Sequence, residues 1–193
     1  MNSIERPCTA FHEAKRLASG PLKDVALSVK SATDDGAFGI LVFDDRSGRV
    51  IDINLEGSAE DVIERLTPIP VVVEKAGRGR PKLGVVAREV TLLPRHWEWL
   101  ATQPGGASVA LRKLVEEARR TSAPKDRARE SQEAAYRFLS AMAGNRVGFE
   151  EAARALFAGD FGKLRELASV WPPDVASFAM QLAEGAGDSQ PIP

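Results

Sequence analysis

Residues Gly77-Arg78-Gly79-Arg80-Pro81-Lys82 set three cations within five positions, on a stretch with no apolar side chain larger than alanine. That chemistry suits a polyanion. A narrow A/T-rich minor groove carries deep negative potential and draws in inserted arginines, here Arg78 and Arg80. Gly79 lets the backbone approach the groove floor, Pro81 stiffens an extended path, and Lys82 can reach a phosphate. Directly downstream, residues 85–92 read as a strand that ends in Arg88-Glu89-Val90-Thr91-Leu92. Leu93-Pro94 then opens a short helix, and Gly106-Ala107-Ser108 opens another, with Leu111, Leu114, Val115 and Ala118 on one face.

The charge distribution points the same way. Residues 1–74 hold 8 Lys/Arg and 13 Asp/Glu, residues 75–130 hold 13 and 6, and residues 131–193 hold 5 and 8. A basic centre of net +7 thus lies between acidic flanks, although the whole chain is only −1. Such asymmetry is expected where one segment meets nucleic acid, and also where a basic surface meets an acidic protein.

The Arg-Gly-Arg-Pro core resembles an AT-hook. The segment that follows is similar to the ribbon-helix-helix repressors, through Val90, Thr91, Leu92, Leu93-Pro94, Gly106 and Ser108. That resemblance implies a homodimer whose paired strands lie in the major groove. It also implies that Thr91, with either Arg88 or Glu89, faces bases, and that Ser108 and Val109 offer backbone amides to a phosphate. The choice between Arg88 and Glu89 stays open, because a slip of one residue exchanges the two faces of a strand.

Catalytic patterns are sparse. There is no Gly-x-Ser-x-Gly, Walker loop or His-Glu-x-x-His. The single cysteine, Cys8, cannot form an internal disulfide and reads as a small buried apolar residue. His12 and His96 are the only histidines, too few for a Cys/His metal cluster. Asp34-Asp35 and Asp44-Asp45 are paired carboxylates, yet both sit at turn signals. No cofactor, metal or catalytic residue is expected. No apolar run is long enough for a membrane span and the N-terminus has no secretory pattern, so a soluble cytoplasmic protein is expected.

The elements that must position these residues read as α+β. A small N-terminal α+β domain (1–70) is followed by a basic flexible linker (71–84), in which Val71-Val72-Val73 can add an edge strand. The ribbon-helix-helix-like segment (85–122), a helical region (123–184) and a disordered tail (185–193) complete the chain. Within the first domain, residues 8–17 form a strand or hairpin, and Leu22, Val25, Ala26 and Val29 mark a helix beginning at Pro21. Strands over 39–44 and 49–55 flank Asp45-Arg46-Ser47-Gly48, and Ser58 with Asp61 starts another helix. The middle and last thirds predict helices over 94–101, 108–120, 125–143, 149–158, 161–170 and 174–184, with aromatic residues serving as core.

Cys8-Thr9-Ala10-Phe11, the run ending Leu93-Pro94-Arg95-His96-Trp97-Glu98-Trp99, Gln103-Pro104-Gly105-Gly106 and Ala135-Tyr136-Arg137-Phe138 together resemble a bacterial family of unknown function over nearly the whole chain. That resemblance implies a bacterial source and no activity. The residues themselves favour a homodimeric DNA-binding protein, a transcriptional regulator with an unidentified effector. A protein-interaction module whose basic linker meets an acidic partner is the alternative. An enzyme of unrecognised type is the third reading.

Overall fold

The computed structural model describes residues 3–67, 86 and 88–185. It is the expected α+β protein: a four-stranded antiparallel sheet near the N-terminus and a long C-terminal helical part. The elements are β1 (Pro7–His12), β2 (Lys15–Pro21), α1 (Leu22–Asp34), β3 (Ile40–Asp44), β4 (Val50–Ile51), α2 (Ala59–Leu66), α3 (Pro94–Ala101), α4 (Gly106–Ala143), α5 (Phe149–Ala158), α6 (Phe161–Ala168) and α7 (Pro173–Ala183). The chain divides into two compact units, residues 1–69 with 125–193, and residues 70–124.

The first unit is built around β1. The sheet order is β2-β1-β3-β4, so β1 is flanked on both edges by antiparallel partners, β2 through a hairpin and β3 across the intervening α1. Its side chains alternate between two cores, as strand geometry requires. Cys8 and Ala10, with Val42 of β3, pack on Leu22, Val25 and Val29 of α1. Phe11, with Phe43 of β3, packs on Phe138 and Leu139 of α4 and Phe178 of α7. Both faces of the sheet are therefore covered, which is why Cys8 through Phe11 reads as a continuous buried run. Burial pushes the Cys8 thiol up to about 12, so it packs as a small apolar group and carries no thiolate at neutral pH.

Local chemistry sets the boundaries. Pro21 precedes α1, where its fixed φ is compatible with entry and its missing N–H is no loss. Ser58 and Asp61 form the reciprocal capping box at the start of α2, with Asp61 accepting from the Ser58 N–H at 2.7 Å. Asp160 caps α6 by accepting from the Lys163 N–H at 2.9 Å. The α7 helix is tied to β2 as well as to the core: the Arg16 N–H donates to Asp174 at 2.8 Å, and its guanidinium lies 5.4 Å from the Phe178 ring centroid.

Several boundaries differ from the sequence expectation. The strand expected over 49–55 pairs only at Val50 and Ile51. Ile53 and Leu55 still pack against the α1 core, so the apolar alternation reflects contact with α1 and not a longer ladder. The helices expected over 108–120 and 125–143 are one continuous helix, α4, with Pro124 inside it. An internal proline removes one hydrogen bond and crowds the preceding turn. Here the surrounding turns are exposed and carry the ion pairs Arg119–Glu116, Arg120–Glu117 and Arg129–Asp126 at i,i+3 spacing.

In the unit of residues 70–124, the strand expected over 85–92 is absent among the described residues; Val86 and residues 88–93 have no regular secondary structure. Among the described residues of this unit no second strand is present to pair with it, and an unpaired strand leaves its backbone groups without a ladder. Leu93-Pro94 does start α3, and Leu100 and Ala110 are buried. The candidate edge strand Val71-Val72-Val73, the basic linker and residues 186–193 of the expected tail lie outside the described residues. Among the described residues, no helix is long and apolar enough to cross a membrane.

Candidate functional site

Two places in the molecule are candidates for a functional site, one in each unit. In the unit of residues 70–124, Arg78, Gly79, Arg80, Pro81 and Lys82 lie outside the described residues. Arg88 and Thr91 are exposed on the segment leading into α3. Ser108 is exposed and Val109 half-buried in the first turn of α4, which opens at Gly105-Gly106, both with left-handed φ, 85° and 74°. The first-turn N–H groups of a helix have no acceptor within it, so Ser108 and Val109 stand where an anion can be bound through the backbone.

The same segment leaves many large apolar side chains in solvent. Val90, Leu93, Trp99, Leu114 and Val115 are between 48% and 65% exposed. Leu114 and Val115 belong to the helix face that the sequence marks as apolar. Residues 70–124 carry 10 Lys/Arg against 5 Asp/Glu, so this apolar surface belongs to the most basic part of the protein.

The other place was not singled out by sequence reasoning. Asp44 and Asp45 both look like turn carboxylates, and Asp44 behaves as one: it accepts from the N–H groups of Arg46 and Ser47 at 3.1 and 2.8 Å and from the Ser47 hydroxyl at 2.9 Å. Asp45 does not. It is the first residue past β3, two beyond the buried Phe43, and it is only 8% exposed. That two-residue step from Phe43 was the available signal. One of its carboxylate oxygens, Oδ1, is buried without a hydrogen-bond partner. Burial pushes its carboxyl up to about 6, opposed by a hydrogen bond from Thr9, and the neighbouring Asp44 adds to the rise.

An acid raised in the folded state makes stability fall as pH climbs. Between the unfolded value of 3.8 and the folded value of about 6, the unfolded chain loses the Asp45 proton first. Ionised Asp45 should therefore destabilise the native state above pH 6 by on the order of 2–3 kcal/mol. Asp45→Asn is expected to be more stable than the parent at pH 7.5 and equal to it below pH 4. Urea unfolding at both pH values checks this, and equal stability at pH 7.5 would contradict it.

A family model described as "Uncharacterized protein conserved in bacteria (DUF2239)" matches residues 7–183. No curated protein and no solved structure matches the chain.

Proposed function

The chain belongs to this uncharacterised bacterial family, and from that premise we propose that it is a homodimeric DNA-binding protein, acting as a transcriptional regulator. Arg78 and Arg80 enter the minor groove, with Gly79 and Pro81 shaping the approach and Lys82 on a phosphate. Thr91 and Arg88 lie toward the adjoining major groove, and the amides of Ser108 and Val109 hold the backbone.

The observation that carries this reading is the combination found in residues 70–124. A strongly basic segment keeps Val90, Leu93, Leu114 and Val115 exposed in the single chain. In a ribbon-helix-helix arrangement the corresponding apolar residues are covered only when two chains pair, and the strand gains its ladder at the same time. The missing strand and the uncovered apolar face then have one explanation.

Fluorescence polarisation with mixed-sequence duplex DNA over a salt series tests the proposal. Affinity should fall steeply with salt, because each neutralised phosphate releases a counterion. Arg78→Ala combined with Arg80→Ala should weaken binding by roughly tenfold or more and flatten the salt slope. No binding at low salt would overturn the DNA reading. Light scattering after size exclusion reads the second half of the proposal, since a strict monomer cannot build the ribbon.

A further inference from the structure

Of the residues of α3 only Leu100 is buried. Trp97 and Trp99 stand in solvent, 42% and 51% exposed. They are two positions apart, about 200° around a helix, so one covering surface cannot take both. Trp97 falls on the side of Leu93 and Leu100, at i+4 and i−3 from them, which is the side that chain pairing would cover. Trp99 falls on another side, with Arg95 one turn before it. We propose that the Trp99–Arg95 side of α3 binds single-stranded nucleic acid. The indole stacks on an unpaired base and the guanidinium pairs with a neighbouring phosphate. This inference rests on the DNA-binding reading and extends it to a second class of nucleic acid.

The charge around Trp99 selects a polyanion. Residues 70–124 carry 10 Lys/Arg against 5 Asp/Glu. Arg95 is exposed and forms no ion pair among the described residues, whereas Arg119 and Arg120 are matched by Glu116 and Glu117. Glu98, the one acid of α3, lies about 100° around the helix from Trp99 and does not bridge to Arg95. The shape of the exposed group then selects among polyanions. An indole gains most on a flat partner, by stacking. In a duplex both faces of each base are occupied by its neighbours, and freeing one means unstacking the helix. An unpaired strand offers free base faces and phosphates together, the combination that aromatic and cationic side chains recognise. A run of acidic side chains would match the charge but offers no planar face to the indole.

Intrinsic fluorescence of the full chain, titrated with an oligothymidylate of about a dozen nucleotides, tests this. Trp171 is 5% exposed and donates to the Val147 carbonyl at 3.0 Å, so quenching reports on α3. Saturable quenching is expected in the parent, and also in Trp97→Phe, where Trp99 is the exposed indole that remains. Trp99→Leu should weaken strand binding by roughly fivefold or more and leave the affinity for mixed-sequence duplex unchanged. Trp99→Phe keeps a flat ring and should retain most of the strand affinity. Absence of saturable quenching, equal quenching by poly-L-glutamate, or equal losses toward strand and duplex in Trp99→Leu would each overturn the proposal. Duplex binding without strand binding sinks this inference alone, and binding to neither removes the regulator reading with it. The poly-L-glutamate comparison uses the unmodified protein, so it decides the matter even if a variant folds poorly.

Discussion

Gly48→Ala should unfold the protein or destabilise it by several kcal/mol, among the largest effects of any single methyl group in the chain. Gly48 has a φ of 64°, the left-handed region that other residues enter at a penalty of about 1 kcal/mol. The decisive factor is space. A Cβ built at this position lies 2.0 Å from the Ala134 carbonyl oxygen and 2.7 Å from its carbonyl carbon. These are backbone atoms of α4, so no side-chain rotation can relieve the overlap. The β3–β4 turn would have to lift away from α4, breaking the bond from the Arg137 guanidinium to the Ser47 carbonyl at 2.9 Å. Gly159→Ala is the matched control. Its φ of 73° is nearly the same, but nothing lies within 4 Å of the added carbon. It should lose only the conformational penalty of about 1 kcal/mol. Urea unfolding of the two variants side by side measures the difference. Similar stabilities for both would mean that the turn does not press on α4.

Phe138→Ala is expected to lower stability by about 3–5 kcal/mol, the range for deleting a fully buried aromatic side chain. Phe138 is 0% exposed and joins three neighbours. Its ring centroid lies 4.9 Å from Phe43 and 4.8 Å from Phe178 in edge-on contacts, and 5.2 Å from Phe11. It therefore links the sheet to α4 and α7 at one point, and its removal opens a cavity where these three elements meet. Phe157→Ala, at a position 51% exposed, should change stability far less. Thermal unfolding supplies the comparison. Protection of the β1 and β3 amides from hydrogen exchange should fall in Phe138→Ala and stay near the parent level in Phe157→Ala.

Both variants act where distant parts of the chain meet, and that is where the sequence was least informative. Helical periodicity placed α1, α3, α5 and α7 within a residue or two of their positions, because Pro21, Pro94 and Pro173 and the glycines at 148 and 159 mark the ends of those helices locally. The capping box at Ser58 and Asp61 was legible for the same reason, since its partners are three residues apart. The α+β class, the buried character of Cys8 and the apolar role of most C-terminal aromatics also followed from composition and spacing. The continuity of α4 through Pro124 was hidden, because a local rule that favours a helix break there competes with favourable turns on both sides.

Of the candidate sites, the basic motif at residues 77–82 is wholly a property of the sequence: it needs charge, a glycine and a proline in order, and no fold. The buried Asp45 carboxylate is the opposite case. In the sequence Asp44 and Asp45 are two adjacent acids at a turn. Only the packing of α4, α6 and α7 against the far face of β1 and β3 makes one of them a hydrogen-bonded turn residue and the other a buried carboxylate whose Oδ1 has no donor. Periodicity reports which face of an element is apolar. It does not report which distant element will cover that face, because the covering contact depends on chain closure over some ninety residues between Asp45 and the second half of α4. The sequence by itself determined the helices, their caps and the basic segment. Tertiary structure alone decided that the last third of the chain completes the N-terminal sheet, and in doing so enclosed Asp45.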